Sequence, residues 1–317
     1  MRLGALEAGG TKMVCAIGNA NGEIYERISI PTETPEITVP KMIEYFKEKD
    51  IQALGIGCFG PIDLNRKSET YGYITTTPKL AWKNYNIVGA FADALDIPVG
   101  FDTDVNGSAL GEATWGITKG LDNSIYITIG TGVGMGIISN GKLLHGMLHP
   151  EGGHVLLTRH PKDTYGGKCP YHSNCLEGLA AGPAIEARWG KKGIELADKK
   201  EVWELEAYYI GQALVDCIML LSPQRIVLGG GVMHQEHMMP LVREEVKKQL
   251  NGYLVTKELE DLDSYIVLPS LNDNQGIMGA LAVKIKMRKP FGEIRTVFYL
   301  QETSLNFPAK QDSFLFF

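Results

Sequence analysis

Two glycine-rich turns, each at the tip of a strand-turn-strand unit, constrain the fold more than any other feature of the chain. Glu7-Ala8-Gly9-Gly10-Thr11-Lys12 follows the apolar run that begins at Leu3. Ile129-Gly130-Thr131-Gly132-Val133-Gly134 follows a stretch in which Ile125, Ile127 and Ile129 alternate with Tyr126 and Thr128. Alternation of that kind marks a strand, and glycine at the turn permits a tight hairpin. After each hairpin, apolar segments of strand length alternate with segments of helical period. The same theme therefore occurs twice, which predicts two α/β lobes with a cleft between them.

In the first half, strands are expected at RLGALEAGG, TKMVCAIGN and EIYERISI, with a second turn at Asn19–Gly22. A helix follows in the later part of EITVPKMIEYFKEKD. Next come a buried strand running into the Gly60-Pro61 turn, an amphipathic helix NYNIVGAFADALD and a strand IPVGFDTD. Asp104 stands at the head of the helix VNGSALGEATWG, a position that suits an N-cap. In the second half, Asn140-Gly141 signals a hairpin. Helices are expected at PAIEARWG, EVWELEAYYIGQALVDCIMLLS, MMPLVREEVKKQLNG and GIMGALAVKIK, and strands at RIVLGGG and YIVLPS. The lobes are divided as residues 1–117 and 118–285. Residues 286–317 form a tail of different composition. Pro290 blocks helix continuation, and six of the ten phenylalanines fall in this segment.

With 317 residues the chain has room for two such lobes. Its net charge of −6, with no basic stripe, excludes a nucleic-acid binder of the usual kind. No apolar run reaches membrane-spanning length and no leader is apparent at the start, so a cytoplasmic protein without membrane or nucleic-acid partners is expected.

The glycine loops point to phosphate. Gly9, Gly10 and Thr11 offer backbone N–H groups, and Lys12 adds a cation. Gly130, Thr131 and Gly132 repeat the arrangement. Gly229-Gly230-Gly231 ends an apolar strand, where ligands bind in open α/β sheets. A glycine triplet weakens the element that contains it, so close approach of a nucleotide is the better reason for it. Asp102 and Asp104 lie at a strand-to-helix junction, where a carboxylate can take a proton from an attacking hydroxyl. The run Cys169-x-x-His172-x-x-Cys175 supplies three donors for a structural zinc ion, with His154 or His160 as the fourth. Cys15, Cys58 and Cys217 sit in apolar patterns and read as core.

In order and spacing, Glu7–Lys12, Asp102–Asn106, Gly130–Gly134, Glu151-Gly-Gly-His154, the Cys/His run and Gly229–Gly231 resemble the ROK family (repressors, open reading frames, kinases), specifically its bacterial fructokinase branch. The resemblance covers Arg2 to Lys284. It implies the two-lobed actin-like, ribonuclease H-like ATPase fold and ATP-dependent phosphorylation of a hexose, D-fructose before glucose, mannose or an N-acylhexosamine. It places the catalytic base at Asp104, with Asp102 a candidate to help hold magnesium, and it puts Gly182 with the Gly229–Gly231 loop near the nucleoside. It assigns Asp104, Glu151, His154 and Glu177 to the sugar, and completes the zinc site of Cys169, His172 and Cys175 with His154. Two cysteines and two histidines replace the family's more frequent three and one, and Thr103 stands where Asn is frequent. The family also contains sugar-sensing repressors, which carry a helix-turn-helix ahead of the kinase-like part; this chain starts on the first strand. ATP with Mg2+, a structural Zn2+, a hexose and a homodimer are the expected cofactors and partners.

Overall fold

The computed structural model describes residues 1–283 and two short strands beyond them. In chain order, β1 (Leu3–Ala8), β2 (Lys12–Gly18) and β3 (Ile24–Pro31) form an antiparallel meander, and α1 (Pro35–Lys47) leads to β4 (Leu54–Cys58). A ribbon of β5 (Tyr73–Ile74) and β6 (Tyr85–Asn86) and the helix α2 (Ile87–Leu95) lead to β7 (Val99–Thr103), followed by α3 (Asp104–Trp115). The second half repeats this plan. It contains β8 (Ser124–Ile129), β9 (Val133–Ser139), β10 (Lys142–Leu143), α4 (Leu176–Ala180), α5 (Gly182–Trp189) and α6 (Lys200–Leu221). Then come β11 (Arg225–Gly229), α7 (Met238–Leu250), α8 (Lys257–Glu260), α9 (Leu262–Tyr265), β12 (Ile266–Val267) and α10 (Gln275–Ala282).

The sheets have orders β3-β2-β1-β4-β7 and β10-β9-β8-β11-β12. In each, the third strand pairs antiparallel with its hairpin mate and parallel with the strand on its other side. The duplication expected from the two hairpins is therefore present in topology and direction. The parallel strands read as continuous apolar runs because helices cover their faces. All five residues of β4 are buried.

α1 begins at Pro35, earlier than the sequence pattern suggests. Proline is accommodated at the first helical position, and Thr38, Val39, Met42 and Phe46 form one buried stripe that carries the helix past Pro40. Asp104 is not the N-cap of α3. Thr103 is, its hydroxyl accepting from the Asn106 N–H at 3.0 Å, and Asp104 is the first helical residue. β12 is only two residues long. The expected tail lies outside the described residues, apart from the antiparallel pair β13 (Lys286–Arg288) and β14 (Ile294–Thr296).

Two helices lock the lobes together. α3 leaves the first sheet and packs on the second, where Val105 and Ala109 join Tyr126, Ile138, Val227 and Val267. α10 comes from the second half and packs on the first sheet, with Ile277, Ala280 and Leu281 against Leu3, Ala5, Ala16 and Ala53. The two helices cross at glycine. A Cβ on Gly279 would run into the backbone of Gly107, one on Gly111 would run into Gln275, and one on Gly55 would run into Ala280. Glu112, fully buried in α3, fastens the crossing by accepting from the Ser270 N–H and hydroxyl, each at 2.8 Å, and from the Ile117 N–H at 2.9 Å.

Replacing a helical glycine by alanine usually gains up to about 1 kcal/mol. At Gly279 the sign should invert, with a loss of about 1–3 kcal/mol from overpacking. Denaturant melts of Gly279→Ala check this, and an unchanged or raised stability would show that the helices separate without cost.

Candidate active site

The site gathers where the first strands of both sheets end. In the first lobe the Gly9 N–H donates to the Lys12 carbonyl at 3.1 Å, closing the turn. Thr32 braces it, its hydroxyl on the Gly9 carbonyl at 2.9 Å and its N–H on the Thr11 carbonyl at 3.1 Å. In the second lobe the Gly130 N–H donates to the Gly132 carbonyl at 2.9 Å, and the Gly182 N–H donates to the Gly130 carbonyl at 2.8 Å. Three of the expected phosphate or nucleoside contacts thus spend their N–H groups on holding the loops. Among the described residues, the N–H groups of Gly10, Thr11, Thr131 and Gly132 remain without a protein acceptor.

The Gly229–Gly231 loop reaches the same place. A Cβ on Gly130 would stand 3.8 Å from the Gly231 nitrogen, while one on Gly231 would meet nothing within 4 Å. Gly230 has φ +88°, a left-handed conformation that favours glycine, and its missing side chain lets the loop lie on Ile129. Gly130, Gly182 and Gly231 therefore converge.

Asp104 sits between the two sheets. Its Cα is 3.3 Å from the Cβ position of Gly57, and its neighbour Val105 lies 3.3 Å from that of Gly134. Burial raises its pKa above the ordinary carboxylate value, against the N–H of Val105, which donates to its Oδ1 at 2.8 Å. A helix N-terminus alone would have lowered it. Burial dominates here and makes the carboxylate a better proton acceptor than the sequence suggested. Glu7 is nearby on β1. Burial first, and then the charge of Asp104, push it up to about 7, with Lys12 and Arg27 pulling it down. Glu7 lies against the start of α10, where a Cβ on Gly276 would stand 2.6 Å from its carboxyl.

Asp102 is held by partners within the protein. It is 5% exposed. Its Oδ1 accepts from the Thr103 N–H at 2.8 Å and from Asn106 Nδ2 at 2.7 Å, and its Oδ2 lies 3.0 Å from His145 Nε2. Through His145 it joins β7 of the first lobe to the loop that carries Glu151. His149, on the same loop, accepts from the Ile62 N–H at 3.2 Å and makes a second link across the cleft.

On the second lobe, Glu177 Oε2 accepts from the Val133 N–H at 3.0 Å, and Glu177 Oε1 lies 4.0 Å from His154 Nε2. Withdrawal from water in the cleft, followed by the charges of Glu177 and Asp104, pushes Glu151 up to about 7. The other nitrogen of His154 faces the Cys/His run. His154 Nδ1 is 3.7 Å from both Cys169 Sγ and Cys175 Sγ, and Cys169 Sγ is 3.7 Å from His172 Nδ1. The four donor atoms lie within 4.8 Å of one another. His160 stands apart, packed edge-on against Tyr208 at 4.9 Å, so His154 completes the set. Cys15, Cys58 and Cys217 are buried as expected.

His145, His149 and Glu7 were not assigned roles from the sequence. The pair of histidines in LLHGMLHPEGGH, directly before Glu151, was the available signal. A cavity of about 970 Å³ lies among α5, α6 and α7, around Arg188 and Tyr208. None of the phosphate or sugar candidates lines it.

The model of the ROK family matches residues 3–286. The chain belongs to the ROK family. It is 48% identical over 281 residues to the fructokinase of Pediococcus pentosaceus, covering 89% of this chain and 96% of that one. It is 47% identical over 290 residues to the fructokinase of Streptococcus mutans, covering 90% and 97%. Among solved structures, the ROK hexokinase of Thermus thermophilus superposes with a TM-score of 0.70 at 25% identity, covering 89% of this chain and 98% of that one. A Streptomyces griseus ROK glucokinase solved with glucose and AMPPNP gives 0.69 at 23% identity, covering 89% and 98%, and shares the two-lobed actin-like fold. Within this ROK chain the described helices include none long and apolar enough to cross a membrane.

The Glu7 carboxyl is raised in the folded state from its ordinary 4.5 to about 7, so the folded protein holds that proton more tightly. Its contribution to stability is complete below about pH 4.5 and is lost as pH rises through about 7. In nucleotide-free protein, Glu7→Gln should flatten the fall in Tm between about pH 4.5 and 7. An identical pH slope in parent and variant would mean that Glu7 is solvated.

Proposed function

We propose that this ROK protein is an ATP-dependent hexose kinase whose substrate is D-fructose, giving fructose 6-phosphate. The observation that carries the proposal is the placement of Asp104. A half-buried carboxylate at a helix start stands between the two sheets whose hairpin turns carry unpaired N–H groups, near enough to Glu7 and Glu151 for its charge to raise both. Four relatives at 43–48% identity are fructokinases, whereas a glucokinase relative is 26% identical.

The roles proposed here join the family resemblance to the geometry described above. N–H groups of Gly10, Thr11, Thr131 and Gly132 receive phosphate oxygens, and Gly182 with Gly229–Gly231 shapes the nucleoside side. Glu151, Glu177 and the Nε2 of His154 accept and donate hydrogen bonds to sugar hydroxyls. Asp104 orients the attacking hydroxyl and takes its proton late, as a loose phosphoryl transition state requires. Magnesium, arriving with ATP, neutralises phosphate charge. The two lobes keep water from competing with the sugar. The lobes divide near residue 117, with α10 crossing back to the first sheet.

The Cys/His set fits zinc. Zn–S near 2.3 Å and Zn–N near 2.1 Å at tetrahedral angles give S···N separations of about 3.6 Å, against 3.7 Å here. The Cys175 thiol also caps α4, accepting from the Gly178 N–H at 3.3 Å, a contact that suits a thiolate. Zinc on Nδ1 of His154 would fix the ring and leave Nε2 for the sugar.

Asp104→Asn should lower kcat by about 10²–10⁴-fold while sugar binding persists. Turnover within about threefold of the parent would place the base elsewhere. A panel of hexoses with ATP tests the substrate, and a kcat/KM for glucose or mannose above that for fructose would reassign it.

Freshly purified protein should carry one zinc per chain by metal analysis, lost in Cys169→Ser together with a drop in Tm. His154→Ala should also raise the sugar KM, whereas His172→Ala should affect mainly metal and Tm. Metal-free parent protein with normal stability would remove the site.

A further inference from the structure

Lys79 has no part in the motifs that mark the family, yet its side chain ends over the first glycine loop. Its Cε is 3.1 Å and its Nζ 3.8 Å from the position a Cβ would take on Gly10. Gly10 therefore leaves the space into which this lysine folds. The side chain is half-buried. The lysines that form ion pairs among the described residues are Lys41, Lys49, Lys200 and Lys248, and Lys79 is not one of them. A lysine normally keeps its ammonium in water. Drawn over the turn and without a carboxylate partner, this ammonium is available to an anion held there.

The position is fixed from both sides. Upstream, the Lys79 N–H donates to the hydroxyl of Thr77, itself 4% exposed, at 3.2 Å. Downstream, the Trp82 N–H donates to the Lys79 carbonyl at 2.8 Å. Trp82 is 1% exposed, donates from Nε1 to the Glu33 carbonyl at 2.7 Å, and packs edge-on against Phe59 and Tyr85. The backbone of Lys79 is thus held by two buried anchors while its ammonium leans over N–H groups with no protein acceptor. The turn it covers already carries the cation of Lys12.

We infer that Lys79 is a second cation of the phosphate site and contacts the transferred γ-phosphoryl group of ATP; the inference rests on the kinase reading above. In the reaction the sugar hydroxyl oxygen forms a bond to the γ-phosphorus. The bond from that phosphorus to the β,γ-bridging oxygen breaks, its electron pair leaves with ADP, and the hydroxyl proton passes to Asp104. Lys79 donates to a non-bridging oxygen of the moving group throughout. Its ammonium faces charge spread over those oxygens, which preorganised donors stabilise most in the transition state. The carboxylates of Glu7, Asp104, Glu151 and Glu177 make the cleft acidic, so a cation beside the phosphoryl group also offsets their repulsion of ATP.

The test is Lys79→Met beside Lys79→Arg in the full chain, with kcat, the KM values for fructose and ATP, and the Kd for ADP by calorimetry. Lys79→Met should lose about 10²–10³-fold in kcat, the scale of removing one preorganised donor. The Kd for ADP, which lacks the γ-phosphate, should stay within about twofold, because Gly10 and Thr11 are untouched. Lys79→Arg should recover part of kcat. A kcat within about threefold of the parent overturns the inference. An unchanged kcat with a raised fructose KM also overturns it and puts Lys79 on the sugar. A proportionate loss of ADP affinity overturns it too, by showing that the lysine shapes the loop. A parent that phosphorylates no hexose would instead sink the kinase reading, so the two failures are distinct.

Discussion

The glycine crossing of α3 and α10 is the contact on which the site depends. Each helix belongs to one half of the chain and packs on the sheet of the other. Without side chains at Gly107, Gly111 and Gly279 the helix backbones touch, and the two sheets are brought to a separation at which Asp104 meets Gly57 on one side and its neighbour Val105 meets Gly134 on the other. A pair of alanines would move the helices apart, and with them Asp104 and Val105 from the second sheet. Buried Glu112 prevents the crossing from sliding, because three donors from two segments converge on its carboxylate. The placement of Asp104 thus follows from packing at the helix crossing.

The crossing concentrates acid. Glu7, Asp104 and Glu151 all have raised pKa values, and part of each shift of Glu7 and Glu151 comes from another carboxylate. Carboxylates suit a polyhydroxylated sugar, which offers many donors. They oppose a nucleoside triphosphate. At the first turn, unpaired N–H groups, Lys12 and Lys79 stand against the charge of Glu7, whereas at the second the Glu177 carboxylate lies beside Gly132 and accepts from Val133. Asp102, which might have added to the repulsion, is spent on His145 and Asn106.

The fold was largely legible in the sequence because its strongest signals are local. The period-two run at Ile125–Ile129 and the glycine turns place both hairpins without knowledge of the rest of the chain. Residues whose role depends on long-range contact were not legible. Thr103 and Asp104 are adjacent, and the choice of which caps α3 was made by the turn out of β7. His145 and Lys79 reach the site from loops whose residues, taken alone, are ordinary. Which glycine N–H groups are free was also hidden. A hairpin consumes the N–H of its first glycine, and Gly182 had to be seen docked on Gly130 before its donor could be discounted. The metal set lay between these cases. Cys169, His172 and Cys175 share one short run, but choosing His154 over His160 needed the fold, which sends His160 to Tyr208 instead.

That choice makes one imidazole the link between the Cys/His cluster and Glu177. His154 has two nitrogens, and the structure turns Nδ1 to the sulfurs and Nε2 toward Glu177. Glu177 in turn accepts from Val133 beside the second glycine loop. The chain of contacts from the sulfurs through His154 and Glu177 to Gly132–Val133 is continuous, and each link fixes the orientation of the next. A loop with no apolar core of its own can hold a ring in one rotamer only if something outside that loop constrains it. Here the constraint comes from the sulfurs of Cys169 and Cys175 at one nitrogen and from Glu177 at the other, while the first glycine loop is braced separately by Thr32.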